Sequence, residues 1–272
     1  MITGKILIDG VDIKSTYGAY IVDGGYNDVP EFPEMKEPEK NEWFEDNSVE
    51  IDLSAPCVES QKVSLRFMMN GTIGNVQSLV DFLMSNRTHI MEMIDVSRIR
   101  SLRIDNVSAS SISSICSIRV NLYDDDPRGG LEYVIPVSSH KDTGLSIDDV
   151  DVSQYGCLLT GSIDGLFPDT SMKENKLQDS CNFDGQEHSN TSGVYVEKGD
   201  MRVRLVMRAE TNEDFWHKRD ALFLDLVKTG ERTITWRERS VKVYYKSCNS
   251  VDFDYSGRCW WEFELTFGCI GE

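Results

Sequence analysis

Four histidines, His89, His140, His188 and His217, are the side chains best suited to moving a proton near neutral pH or to holding a transition metal. None lies within five positions of another, so no single helix or hairpin brings two together, and they read as surface or loop residues. The seven cysteines, at 57, 116, 157, 181, 248, 259 and 269, are odd in number and form no Cys-x-x-Cys pair. They fit neither a complete disulfide framework nor a zinc site and read as reduced, mostly buried thiols. Asp124-Asp125-Asp126 offers hard oxygen ligands of the kind Ca²⁺ takes, but without the alternating spacing of a calcium loop, and it reads as solvated. The acidic pairs Glu37/Glu39 and Glu45/Asp46 could flank a glycosidic bond as acid and base. They sit in a proline-broken loop beside Trp43 and Phe44, and solvation is again the expectation. The chain contains no Gly-x-Ser-x-Gly elbow, phosphate loop, dinucleotide fingerprint or His-Glu-x-x-His. The expectation is a protein without catalysis, metal or cofactor. Trp260-Trp261 near the end invites a sugar-binding reading, yet neighbours in a strand point to opposite faces, so one is expected in the core and one outside.

Residues with so little local chemistry must be explained by what positions them. The chain has 272 residues, 28 basic and 46 acidic, for a net charge of −18, enough for two domains of about 130 residues each. A pI near 4.6 argues against general nucleic-acid affinity, which rests on cations neutralising phosphates. No apolar run approaches the roughly 20 residues of a membrane-spanning helix, and nothing near the start directs export.

The dominant signal is internal repetition. Ile8-Asp9-Gly10-Val11-Asp12-Ile13, followed by Tyr17-Gly18, returns as Ile147-Asp148-Asp149-Val150-Asp151-Val152, followed by Tyr155-Gly156. A long polar loop comes next in each copy, about 22–48 and 161–193. Period-two segments follow, with Val63, Leu65 and Phe67 answered by Val203, Leu205 and Met207. Each half then turns helical. Val76, Leu79, Val80, Leu83 and Met84 form one apolar stripe. Thr211 opens the second helix as an N-cap, and Lys218 and Arg219 interrupt its stripe. Two strands follow in each copy, around 90–94 and 100–104, then 233–236 and 241–245. A closing strand ends each half, with Ile118, Val120 and Leu122 answering Phe263, Leu265 and Phe267. The polar stretch from Asp124 to Gly144 is the expected boundary, giving modules 1–135 and 136–272. The first carries 12 basic and 22 acidic residues and the second 16 and 24, so both are acidic.

The doubled opening motif, with its loop, strand, amphipathic helix and further strands, resembles the N-terminal module of distal tail proteins and baseplate-hub proteins of long-tailed bacteriophages and prophages. The resemblance implies a mainly β (α+β) fold of two tandem tail-tube-like split β-barrel modules, each with one packed helix. It implies a structural part of a virion tail, made in the bacterial cytoplasm, that self-assembles as a homo-oligomer, a trimeric pseudo-hexamer or a hexamer. Such a ring would contact other tail proteins and surround DNA as a passing, weakly held polymer, with no membrane partner. Under it, the loop aromatics Trp43, Phe44, Phe167 and Phe183 are expected at inter-subunit contacts. A different class of reading is a two-module β-rich protein that binds carbohydrate or a host surface through those aromatics.

Overall fold

The computed structural model describes residues 3–43, 48–70, 73–112, 115–160, 170–172, 177–179, 186–188 and 196–270. The chain is mainly β. In the first half β1 (Ile6–Ile8) and β2 (Val11–Asp12) form a hairpin, followed by α1 (Ile13–Tyr17) and β3 (Ala19–Ile21). A small ribbon, β4 (Lys40–Trp43) with β5 (Ser48–Ile51), precedes β6 (Gln61–Asn70), α2 (Ile73–Met84), β7 (Thr88–Met93), β8 (Arg98–Ile112) and β9 (Ile115–Asp124). The second half runs β10 (Leu145–Ile147), β11 (Val150–Asp151), a 3-10 turn (Val152–Tyr155) and β12 (Cys157–Leu159). Two short ribbons come next, from β13 (Thr170–Met172), β14 (Leu177–Asp179), β15 (Gln186–His188) and β16 (Val196–Lys198), paired β13 to β16 and β14 to β15. The half ends with β17 (Met201–Ala209), α3 (Asn212–Leu226), β18 (Arg232–Trp236), β19 (Arg239–Asp254) and β20 (Cys259–Cys269).

The two seven-stranded sheets have orders β2-β1-β7-β8-β9-β6-β3 and β11-β10-β18-β19-β20-β17-β12. Element for element these are the same order. One irregularity recurs: a bulge breaks the β8–β9 ladder between Ile104 and Asn106, and another breaks β19–β20 between Tyr245 and Ser247, although β19–β20 carries a second bulge between Ser250 and Asp252 that β8–β9 lacks.

The repeated opening motif has a local cause. Asp9 and Gly10 have φ of 50° and 80°, and Asp148 and Asp149 of 47° and 68°, so each pair makes the tight reversal of a hairpin. The next aspartate caps a helical turn: Asp12 accepts from the Lys14 and Ser15 amides, and Asp151 from that of Ser153. Gly18 and Gly156 then end the turns in the left-handed region at φ 76° and 71°. A Cβ at Gly156 would also lie 2.6 Å from the Arg208 carbonyl. Turn, cap and stop are thus written twice.

The closing strands match as expected, with Ile118, Val120, Leu122, Phe263, Leu265 and Phe267 all buried. The β6 and β17 match slides by one pleat. Ala19, next to Gly18, pairs with Met69, and Cys157, next to Gly156, pairs with Met207. Leu65, Phe67 and Met69 therefore answer Val203, Leu205 and Met207; because two residues restore the same face, alternation alone could not fix the register. The α2 stripe is narrower than expected: Leu79 and Leu83 are buried, whereas Met84 is 59% exposed. Thr211 caps α3 as expected, accepting from the Asp214 amide. The chain between Leu131 and Ser139 has no regular structure, but the sheets on either side share one continuous apolar core. Among the described residues, no helix is long and apolar enough to cross a membrane.

Candidate functional site

Two corners place charged groups at equivalent positions. In the first half the Asp9 carboxylate accepts from the Ile90 amide at 2.8 Å and from His89 Nδ1 at 2.6 Å, while His89 Nε2 lies 2.8 Å from the Leu83 carbonyl at the end of α2. Burial works against the charge, but the Ile90 amide and the His89 ring hold the Asp9 carboxyl below the usual range. Carboxylate and carbonyl both only accept, so each ring nitrogen of His89 faces an acceptor. In the second half Asp148 accepts from the Thr233 amide at 2.8 Å and from Arg232 Nη1 at 2.6 Å. Arg232 Nη2 donates to the Thr229 and Gly230 carbonyls just past α3. Strand register equates His89 with Arg232, since Ile8 pairs with Met91 and Ile147 with Ile234. Each clasp ties hairpin, strand and helix end together. This corrects the surface reading of His89, which is 1% exposed; its partner is 80 positions away, beyond any local pattern. His217 is exposed and His140 half-buried.

The aspartate run is also structural. Asp124 is buried near Arg100 Nε at 3.7 Å, and burial raises its carboxyl. Asp125 pairs with Arg103 at 2.6 Å and accepts from Ser60, and that arginine lowers it to about 2. The expectation of solvated charges fails for Asp124, buried at the end of β9, while Asp125 and Asp126 are exposed. Of the acidic pairs, Glu37 binds Lys40 at 2.8 Å, Glu39 is exposed, and Glu45 and Asp46 lie outside the described residues. Cys116, Cys157, Cys248 and Cys259 are buried and Cys57 is exposed. Burial pushes the Cys157 and Cys248 thiols far up and Cys259 to about 11, so these are poor nucleophiles. Cys181 lies outside the described residues.

The junction of the halves is the most elaborate constellation in the molecule. From α3, Arg219 donates to the Pro30 and Glu31 carbonyls at 2.9 and 2.6 Å and to Asp220 at 2.9 Å, with its guanidinium over Phe32. Asp220 also pairs with Arg98, which stacks on Trp216. The Trp216 indole donates to the Val96 carbonyl at 2.6 Å, and Asn212 donates to that of Asp95. Phe32, 1% exposed, stacks on Phe223 and meets Trp261 edge-on. Of the two residues that broke the expected stripe, Arg219 is therefore buried by the first half, whereas Lys218 is buried beside Gly156 of its own half and pairs with Asp214.

Beside the junction lies a cleft of about 500 Å³ lined by Glu31, Glu34 and Glu59 together with Lys62, Arg103 and Tyr123. Burial, followed by the charge of Asp28 and then that of Glu34, pushes the Glu31 carboxyl up to about 7, against the Ser250 amide that it accepts from. The Cys248 thiol in this cleft is suppressed by burial, so the cleft pairs a proton-holding carboxyl with no activated nucleophile.

Of the expected contact aromatics, Trp43 ends β4, and Phe44, Phe167 and Phe183 lie outside the described residues. The loop after β3 does carry aromatics to a contact surface, but they are Tyr26 and Phe32, both buried. The sequence held a signal for Phe32, since Phe32-Pro33 recurs as Phe167-Pro168 in the equivalent connection. Trp261 is buried and Trp260 is 39% exposed, as strand alternation requires.

No family model matches the chain, and no curated protein matches it. Among solved structures it is similar to the SPP1 Dit protein (gp 19.1), described as a paradigm of hub adsorption apparatus in phages infecting Gram-positive bacteria. The identity is 12% and the TM-score 0.36 over 98% of this chain and 99% of that one, a likeness too loose to bear on function.

Proposed function

We propose that this chain is a structural subunit of a phage or prophage tail or baseplate, without catalytic activity, which assembles into a ring around a DNA-conducting channel. The observation that carries the reading is the doubled sheet: one strand order, one bulge position and one turn-cap-stop opening, each present twice. A buried junction fixes the two copies side by side, so each chain presents two equivalent modules at a set angle. Three such chains supply six modules to a closed circle. The net charge of −18 suits a conduit that DNA passes without sticking. Native mass spectrometry and negative-stain imaging test this: a trimer or hexamer with annular particles is expected, and a chain that stays monomeric to millimolar concentration overturns it.

A two-module binding protein draws support from Trp260, half-exposed across from Arg208 on the outer face of the second sheet, since an open indole can stack on a sugar ring. Binding to a glycan array that disappears in Trp260→Ala would favour it over the ring.

A further inference from the structure

β19 extends well past the last residue it pairs with on β18, Val243, which leaves one edge of its far part without a strand. That edge is covered by the first half. The Met35 amide donates to the Lys246 carbonyl at 2.8 Å, the Tyr245 hydroxyl to that of Pro33 at 2.9 Å, and the Ser250 hydroxyl to that of Asn27 at 2.6 Å. The helix beside it, α3, is covered by the same half through Trp216, Arg219 and Asp220. Edge and helix together form one docking face, filled from within the chain.

The first half builds the equivalent face and leaves it bare. β8 pairs with β7 only as far as Arg103. The Ile104 amide still donates to the Arg87 carbonyl at 2.8 Å, and among the described residues no strand pairs with β8 on that side beyond it. Register equates Ile104 with Tyr245, each preceding its bulge and opposite Leu122 and Phe267. The β8 residues that follow, Asp105, Asn106, Ser108, Ala109 and Ser110, are exposed. The neighbouring helix α2 shows Gln77, Asp81 and Met84 to solvent. An unpaired edge of this length is a template for another chain.

We infer that this open face, the outer side of α2 with the β8 edge from Asp105 to Ser110, receives the second half of another copy of this chain. The inner junction supplies the pattern. The first half reaches its neighbour through the connection after β3, which carries Phe32-Pro33; the connection after β12 carries Phe167-Pro168. A second half docking on the next first half repeats the contact already made inside the chain. Such head-to-tail contact uses two different surfaces and closes into a ring when the rotation per chain permits. The inference rests on the ring reading above and gives it a specific interface.

Two variants, each blocked on one side, test it. Met84→Glu with Ala109→Glu blocks the open face, and Phe167→Ala weakens the opposite one; both substitutions on the open face are at exposed positions, so an unchanged melting temperature is expected. Each variant alone should associate about 100-fold more weakly than the parent chain. Mixed, they should form a 1:1 dimer and nothing larger, because one good surface remains on each. In the parent assembly, hydrogen exchange at 105–110 should slow relative to the monomer. Ile135→Glu, in the exposed connection between the sheets, should assemble normally. A parent ring that persists with Met84→Glu and Ala109→Glu, or that leaves 105–110 unprotected, overturns this interface and leaves the ring standing. A parent chain that never associates overturns both.

Discussion

α2 and α3 hold the same place in their two sheets but differ in how much of their circumference is covered. α3 buries Trp216, Lys218, Arg219 and Asp220 in addition to its apolar stripe, whereas α2 leaves Gln77, Asp81 and Met84 in water. The corners differ in the same sense: Arg232 reaches three acceptors where His89 reaches two. The second half is completed by its contact with the first, and polar side chains that would otherwise be solvated become its fastenings. The first half has the same frame with a face still open.

The largest effect should come from breaking the fastening that only α3 has. Arg219→Ala removes the guanidinium shared by the Pro30 carbonyl, the Glu31 carbonyl and Asp220, leaving buried acceptors unmet. A loss of about 4 kcal/mol is expected in urea unfolding. Gln77→Ala on α2 should stay within about 0.5 kcal/mol. Equal losses at the two helices would mean that α3 owes nothing to the junction.

This difference also marks what could be seen in the sequence. The repeat, the Thr211 cap, the order of strands and helix along each half and both longer helices were legible because each rests on local spacing: Thr211 and Asp214, or Leu79 and Leu83, lie within a few residues of one another. Burial of His89, Asp124, Lys218 and Arg219 was not, since each depends on a partner or a covering surface far away in the chain. Arg219 meets Pro30 across 189 positions. Polar type then suggests water, and only the fold says otherwise. The loop after β3 shows the same limit: its composition reads as a solvated connection, yet Tyr26 and Phe32 are core. For the candidate interface, the two Phe-Pro pairs were visible as text, while the bare edge of β8 became apparent only once the covered edge of β19 was known.

The corners offer a finer contrast. Arg232→Gln leaves Asp148 to the Thr233 amide and Lys228 but strands the Thr229 and Gly230 carbonyls, and about 3 kcal/mol of stability should be lost. His89→Gln keeps some donor capacity and faces a partly exposed Asp9, so about 2 kcal/mol is expected. Equal losses at the two corners would mean that the third acceptor reached by Arg232 adds nothing to its clasp.

The smallest effect is a pH dependence at the junction itself. Glu31 has a folded value of about 7 against an ordinary 4.5, so between those limits the folded chain holds a proton that the unfolded chain has released. Stability on this account must fall as pH rises through that window, and it stays lower above it. Partial exposure of the carboxylate limits the loss to about 2 kcal/mol. Glu31→Gln removes the titration while keeping an acceptor for the Ser250 amide. The variant should melt higher than the parent at pH 8, match it near pH 4.5, and show a flatter stability profile between. Should the parent instead gain stability across that range relative to the variant, Glu31 would be favoured in its charged form, and a cation of the cleft such as Lys62 or Arg103 would compensate it.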